Sequence, residues 1–83
     1  MKKFSIIIPV YNVEQYLKRT LDSVFKQTYQ NFEVIVVNDG CTDKSMDIAR
    51  KYDVKIIDTT HVGVSEARNI GVTYARGEYL LFL

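Results

Sequence analysis

The sequence predicts an α/β domain: a Rossmann-like three-layer fold with a parallel sheet, in the order βαβαβαβ. Three observations predict it. Short runs made almost wholly of apolar, often β-branched residues recur along the chain, as strands buried on both faces require. Between them lie segments whose apolar residues return at helical spacing. Junctions from strand to helix carry capping or turn residues, at Asn12, at Asn38-Asp39-Gly40 and at Gly63.

Phe4–Pro9 is the first buried strand, and Pro9 suits its end because it has no N–H for the ladder. Asn12 is a good N-cap, with Gln15 three residues on, where a capping-box partner belongs. Val13, Leu17, Leu21 and Val24 then mark an amphipathic helix over 13–26. Gln27–Asn31 is a polar connection, and Phe32–Val37 (FEVIVV) is a second buried strand ended by the turn Asn38-Asp39-Gly40. Thr42 or Asp43 can cap a second helix over 44–52. Val54–Ile57 reads as a third strand, Asp58–Val62 as a polar loop and 64–75 as a third helix. Gly77 is its expected C-cap, and Tyr79–Leu83 is a fourth buried strand.

Composition narrows the function. The 83 residues carry 11 Lys and Arg against 10 Asp and Glu, interspersed, so no basic face for nucleic acid is expected. With 47% hydrophobic and 25% charged residues the chain matches a folded globular domain rather than a disordered one. A single cysteine, Cys41, excludes an internal disulfide and a multi-cysteine metal site. No run is long and apolar enough to span a bilayer. The opening MKKFSIIIPVYN lacks a cleavage site and is broken by Pro9, so it reads as a first strand rather than a leader. The length allows one domain, 1–83. Ending on Tyr-Leu-Leu-Phe-Leu, its most apolar strand, is read as truncation.

Open parallel sheets bind ligands beyond the carboxyl ends of their strands, where helix N-termini offer free N–H groups to anions. Those ends are Pro9–Asn12, Asn38–Cys41 and Asp58–Gly63. No GxGxxG or GxxxxGK[ST] motif occurs, which weighs against dehydrogenase and P-loop chemistry. Asp39 can accept an N–H from a base edge; the competing reading is a loop Asp that bonds backbone N–H groups nearby. Tyr11 can stack on a base or pack as a half-buried aromatic. Arg68 can reach a diphosphate or pair at the surface with Glu66. His61 has no second ligand nearby and reads as structural, Cys41 as a small loop residue, and Ser65 has no general base.

These residues carry a family resemblance. SIIIPVYN, TLDSVFKQTYQNFEVIVVNDG, CTDKS and GVSEARNIGVTYARGEYLLFL, in that order over essentially the whole chain, resemble the start of a family 2 glycosyltransferase. The resemblance implies the N-terminal, nucleotide-binding part of a GT-A fold and a role in polysaccharide biosynthesis. It implies transfer of a sugar from a nucleotide-sugar, a UDP-sugar for preference, to an acceptor hydroxyl with inversion. Pro9, Val10 and Tyr11 match the turn that cradles the base, Asp39 the acceptor of a base N–H, and Arg68 the group reaching toward the nucleotide-sugar. Gly63 lets its loop pass close to the ligand.

Cys41 stands where the family commonly has Ser, and His61 where a small or amide residue is frequent. The family's acidic Asp-x-Asp motif, which holds Mg²⁺ or Mn²⁺, would begin just past Leu83. Metal ligands and catalytic base are therefore expected outside this chain, which is expected to be inactive alone. A cytoplasmic location, with a parent protein that can be membrane-associated, goes with this reading. The alternatives are a non-catalytic nucleotide-binding module, a module that pairs with a second copy through its last strand, and, more weakly, a nucleotidyltransferase.

Overall fold

A computed structural model describes residues 2–27 and 29–83; Met1, and Thr28 of the expected Gln27–Asn31 connection, lie outside the described residues. The elements are β1 (Phe4–Val10), α1 (Glu14–Lys26), β2 (Phe32–Asp39), α2 (Ser45–Ala49), β3 (Lys55–Thr59), α3 (Val64–Tyr74) and β4 (Tyr79–Phe82). They form one four-stranded sheet in the order β3-β2-β1-β4. Every pairing is parallel, with Phe4 beside Phe32 on one side and Tyr79 on the other. This is the expected βαβαβαβ arrangement.

Alternation along the strands sorts the core into two layers. Ile6, Ile8, Val10, Val34 and Val36 meet Leu17, Leu21 and Val24 of α1 and Met46 and Ala49 of α2. Ile7, Ile35 and Val37 face the other way, toward Ala67 of α3. Ile7, Leu21 and Ile35 have no exposed surface, and burying each contributes about 1.5–3 kcal/mol. Gly71 lets α3 settle on the sheet, since a Cβ there would stand 2.6 Å from Ile7 Cγ2.

Several element ends differ from expectation. β1 runs to Val10, so Pro9 lies within a strand, in register with Val37. The Ile7 carbonyl accepts from Leu83 N, so Pro9, two residues on, turns its N toward the same side. Pairing of β1 with β4 stops at Ile7, and the missing N–H costs no ladder bond. β2 includes Asn38 and Asp39, and β3 includes Asp58 and Thr59, because the two strands stay paired as Asn38–Asp58 and Asp39–Thr59. Asn38 Nδ2 donates to Asp58 Oδ1 at 2.8 Å, which ties this polar end of the ladder. α2 is shorter than the expected 44–52. The chain tightens after Ala49, and the Tyr52 hydroxyl donates to Asp22 Oδ1 at 2.6 Å.

Two further corrections concern the last strand. β4 is not buried on both faces: Tyr79, Leu80, Leu81 and Phe82 are all exposed, because α3 lies over β1 and β2 rather than over β4. Gly77 is not the C-cap of α3. Ala75 holds that position, and Gly77 packs on β1, its N–H donating to Ser5 Oγ at 2.7 Å. Ser5 in turn donates to Glu33 Oε2, which also accepts from Arg76 N, both at 2.6 Å. This chain of bonds pins the link between α3 and β4 to the amino ends of β1 and β2.

A Cβ on Gly77 would fall 2.6 Å from both Phe4 C and Ser5 N, backbone atoms that cannot swing aside. Gly77→Ala is therefore expected to destabilise the chain by about 1–3 kcal/mol, read as a lower urea midpoint at unchanged slope. An unchanged midpoint would show that the α3–β4 link does not bear on β1.

Candidate functional site

The carboxyl ends of the strands gather Tyr11, Asn12, Asp39, Gly40, Cys41 and the loop 60–63. The turns after β1 and β2 are stitched together there. Asn12 takes the left-handed conformation (φ 51°) and does not cap α1 as expected. Its Oδ1 accepts instead from Thr42 N at 2.8 Å and Asp43 N at 3.2 Å in the neighbouring turn. That turn returns the service: Val13 N donates to Ser45 Oγ at 3.0 Å and Glu14 N to Asp43 Oδ2 at 3.1 Å. Asp43 also accepts from Ser45 N at 2.9 Å, so its carboxylate satisfies N–H groups at the start of both helices. Cys41 is half-buried in this seam, its Sγ donating to Val10 O at 3.3 Å and accepting from Asn12 N at 3.4 Å.

Asp39 is buried to 3% exposure at the last position of β2. Its Oδ1 accepts from Thr59 Oγ1 at 2.6 Å and Val62 N at 2.7 Å. Its Oδ2 accepts from Gly63 N at 3.0 Å and lies 3.4 Å from His61 Nδ1. The reading of Asp39 as an acceptor of loop N–H groups thus holds, and one direction at Oδ2 is left to a side chain. Burial pushes this carboxyl up, yet the bonds from Thr59, Val62 and Gly63, with the imidazole beside it, outweigh that and hold it below the ordinary aspartate range.

Gly40 and Gly63 make the loop possible. Both have left-handed backbones, φ 75° and 96°, and Gly63 directly precedes α3. A Cβ on Gly40 would press on His61 Cβ at 3.0 Å, whereas one on Gly63 would meet nothing within 4 Å.

The expected site residues fall into two groups. Tyr11, Asp39 and Gly63 come together. Tyr11 is exposed and its ring stacks on His61 with centroids 3.9 Å apart and planes 22° apart, while His61 and Gly63 both meet Asp39. Val10 contributes its carbonyl only, since its side chain is buried toward α1. Pro9 lines a groove with Val13, Tyr16 and Leu83 at the edge of this region. Arg68 stands apart. It forms no ion pair with Glu66, whose carboxylate takes Asn69 Nδ2, and its guanidinium lies 6.0 Å from the Phe82 ring centroid at the end of β4.

Sequence reasoning missed the joint placement of His61 with Tyr11 and Asp39, which are 50 and 22 positions away in the chain. The only available signal was that all three sit where parallel strands end. Among the described residues no group of three His, Cys, Asp or Glu side chains gathers to hold a metal ion. No helix among them is long and apolar enough to cross a membrane.

A parallel sheet with helices on both faces, and with a buried carboxylate and an exposed aromatic ring at its carboxyl edge, defines a Rossmann-like α/β fold. Comparison with known proteins agrees: the Glycosyl transferase family 2 profile matches residues 5–83, and the chain belongs to that family. It is 43% identical to glycosyltransferase GlyA of Streptococcus pneumoniae over 98% of this chain and 12% of that protein. It is 38% identical to the poly(ribitol-phosphate) β-N-acetylglucosaminyltransferase TarS of Staphylococcus aureus, over 100% of this chain and 16% of TarS. The crystal structure of TarS 1–349 with UDP-GlcNAc superposes with a TM-score of 0.93 at 37% identity, over 98% of this chain and 26% of that one. The mannosyltransferase PcManGT of Pyrobaculum calidifontis, in complex with GDP-Man and Mn²⁺, superposes with a TM-score of 0.87 at 25% identity, over 94% of this chain and 26% of that one. The chain thus spans a minor part of each.

A carboxyl more acidic in the fold than in the unfolded chain adds stability while it is ionised. That stability is complete above the unfolded value, about 4, and is lost as pH falls through the lower folded value. Asp39→Asn is expected to cost about 1.5–3 kcal/mol near neutral pH, and urea midpoints should show the gap from wild type narrowing below pH of about 4. A gap that stays constant down to acid unfolding would contradict the bonding described for Asp39.

Proposed function

We propose that this chain is the nucleotide-binding portion of an inverting glycosyltransferase that moves a sugar from a nucleotide-sugar, a UDP-sugar for preference, to an acceptor hydroxyl. The observation that carries the reading is the convergence of a flat exposed ring, Tyr11, and a buried ionised carboxylate, Asp39, at one carboxyl edge. A base lying on Tyr11 can donate a ring N–H to Asp39 Oδ2. The imide N–H of uracil suits a carboxylate. Adenine, whose corresponding ring nitrogen is an acceptor, does not. Family membership and the UDP-GlcNAc complex of TarS support this assignment.

The diphosphate would lie toward the N-terminus of α3, where free N–H groups favour an anion, with Arg68 one turn further along the helix. Arg68 is exposed and pairs with no carboxylate among the described residues, which leaves its guanidinium fork available to phosphate oxygens. Transfer further requires neutralising the leaving diphosphate and taking a proton from the acceptor. In our reading the whole protein uses Mg²⁺ or Mn²⁺ and a general base supplied from outside these 83 residues, and the chain alone is inactive. The Mn²⁺ complex of PcManGT supports the metal. Pairing with a second copy rests on the exposed β4 alone.

Calorimetric titration with UDP, ADP and GDP tests the assignment. UDP is expected to saturate the chain while ADP does not, and GDP shows how far the uracil edge itself is read. Tyr11→Ala, an exposed position, is expected to weaken UDP about tenfold. Asp39→Ala should weaken it at least as much, with its fold checked by amide spectra. A folded wild-type chain that binds none of the three nucleotides would overturn the proposal.

A further inference from the structure

We propose that His61 is a built-in stand-in for the nucleotide base, holding the base's place on Tyr11 and Asp39 and swinging out when a nucleotide enters. The inference rests on the nucleotide reading above and adds a residue to it. A base at this edge needs a flat face to lie on and an acceptor for a ring N–H. The imidazole, a planar aromatic ring with a nitrogen toward the carboxylate, occupies both places. It stacks on Tyr11 at 3.9 Å and 22°, and its Nδ1 stands 3.4 Å from Asp39 Oδ2. The other contacts of that carboxylate are a hydroxyl and two backbone N–H groups of the fold itself. The direction held by His61 is thus the one that a ligand can take over without dismantling the loop.

The backbone under His61 is fixed by bonds that do not involve the imidazole. His61 has φ 61°, an uncommon conformation for a residue with a side chain. The two residues after it are clamped through Val62 N and Gly63 N to Asp39. On the other side its Cβ faces Gly40, which has no Cβ of its own to push it away. Rotation about the side-chain bonds of His61 therefore clears the Tyr11 face while the loop stays in place. The imidazole is 54% exposed, so it has solvent to move into.

The consequence is a competition. Every nucleotide must exchange one stacked pair and one polar contact for its own, so a ligand offering only a flat ring, or only an N–H, displaces His61 poorly. His61 thereby screens ligands by requiring both features together, and when no nucleotide is bound its ring adds a second contact to an Oδ2 that already accepts from Gly63 N.

The test compares UDP affinity across wild type, His61→Ala, His61→Gly, Tyr11→Ala and Asp39→Asn. Removing the stand-in is expected to tighten UDP about three- to tenfold. His61→Gly should match His61→Ala, which separates loss of the ring from relief of the left-handed backbone. In proton spectra of the wild type, cross-relaxation between the Tyr11 and His61 rings should vanish as UDP saturates the chain. UDP binding that depends on Tyr11 and Asp39 but is unchanged or weakened in both His61 variants would overturn this inference and leave the nucleotide reading standing. No UDP binding by folded wild type and by both folded His61 variants would overturn the two together.

Discussion

Strands covered on both faces, as β1 and β2 are, have no place for polar side chains except at their ends, and the organisation of this chain follows from that constraint. The central strands β1 and β2 spend their length on Ile and Val, six of which have at most 2% exposure. Their polar residues are pushed to the two edges, and a carboxylate of β2 anchors the chain at each, Glu33 at the amino edge and Asp39 at the carboxyl edge. At the amino edge Glu33 and Ser5 hold the incoming end of β4. At the carboxyl edge Asp39 holds the loop that launches α3. Both carboxyls are held more acidic than usual by the hydrogen bonds they accept, against the opposing effect of burial.

The two edges differ in what they leave over. Glu33 spends its bonds within the fold, on a hydroxyl and a backbone N–H, and the elements around it are closed by backbone contact at Gly77. Asp39 also serves the fold, yet one contact goes to an exposed side chain lying on another exposed ring. A buried ionised acceptor with one exchangeable partner is what recognition of a small planar donor requires. The structural role of Asp39 and the binding role we propose for it are therefore not alternatives: the loop N–H groups orient the carboxylate, and its remaining contact goes to His61, which lies on Tyr11.

Much of this was legible in the sequence. Among the described residues, apolar runs located the four strands and helical spacing the three helices, and the rule for parallel sheets points to their carboxyl ends as the candidate site. The family resemblance carried over the whole chain, as the match over residues 5–83 bears out. What remained illegible depends on partners distant in the chain. Asn12 looks like an N-cap by local pattern, but the neighbouring turn takes its carbonyl oxygen and Asp43 and Ser45 serve α1 in exchange. Gly77 looks like a C-cap, but its reason is the backbone of β1 some 72 positions away. Asp58 and Thr59 look like loop residues, and they are strand because β2 stays in register with them. The Tyr11–His61 stack has no local signature at all.

In our proposal the carboxyl edge around Tyr11 and Asp39 is where this chain meets a nucleotide. Mapping amide shifts of the isotopically labelled chain during addition of UDP tests it most directly. The largest changes are expected on Tyr11, Asp39 and His61–Gly63, with the first turn of α3 next and Ser5, Glu33 and Gly77 at the opposite edge unmoved. Changes concentrated at the amino edge or along α1, with the carboxyl edge silent, would contradict it.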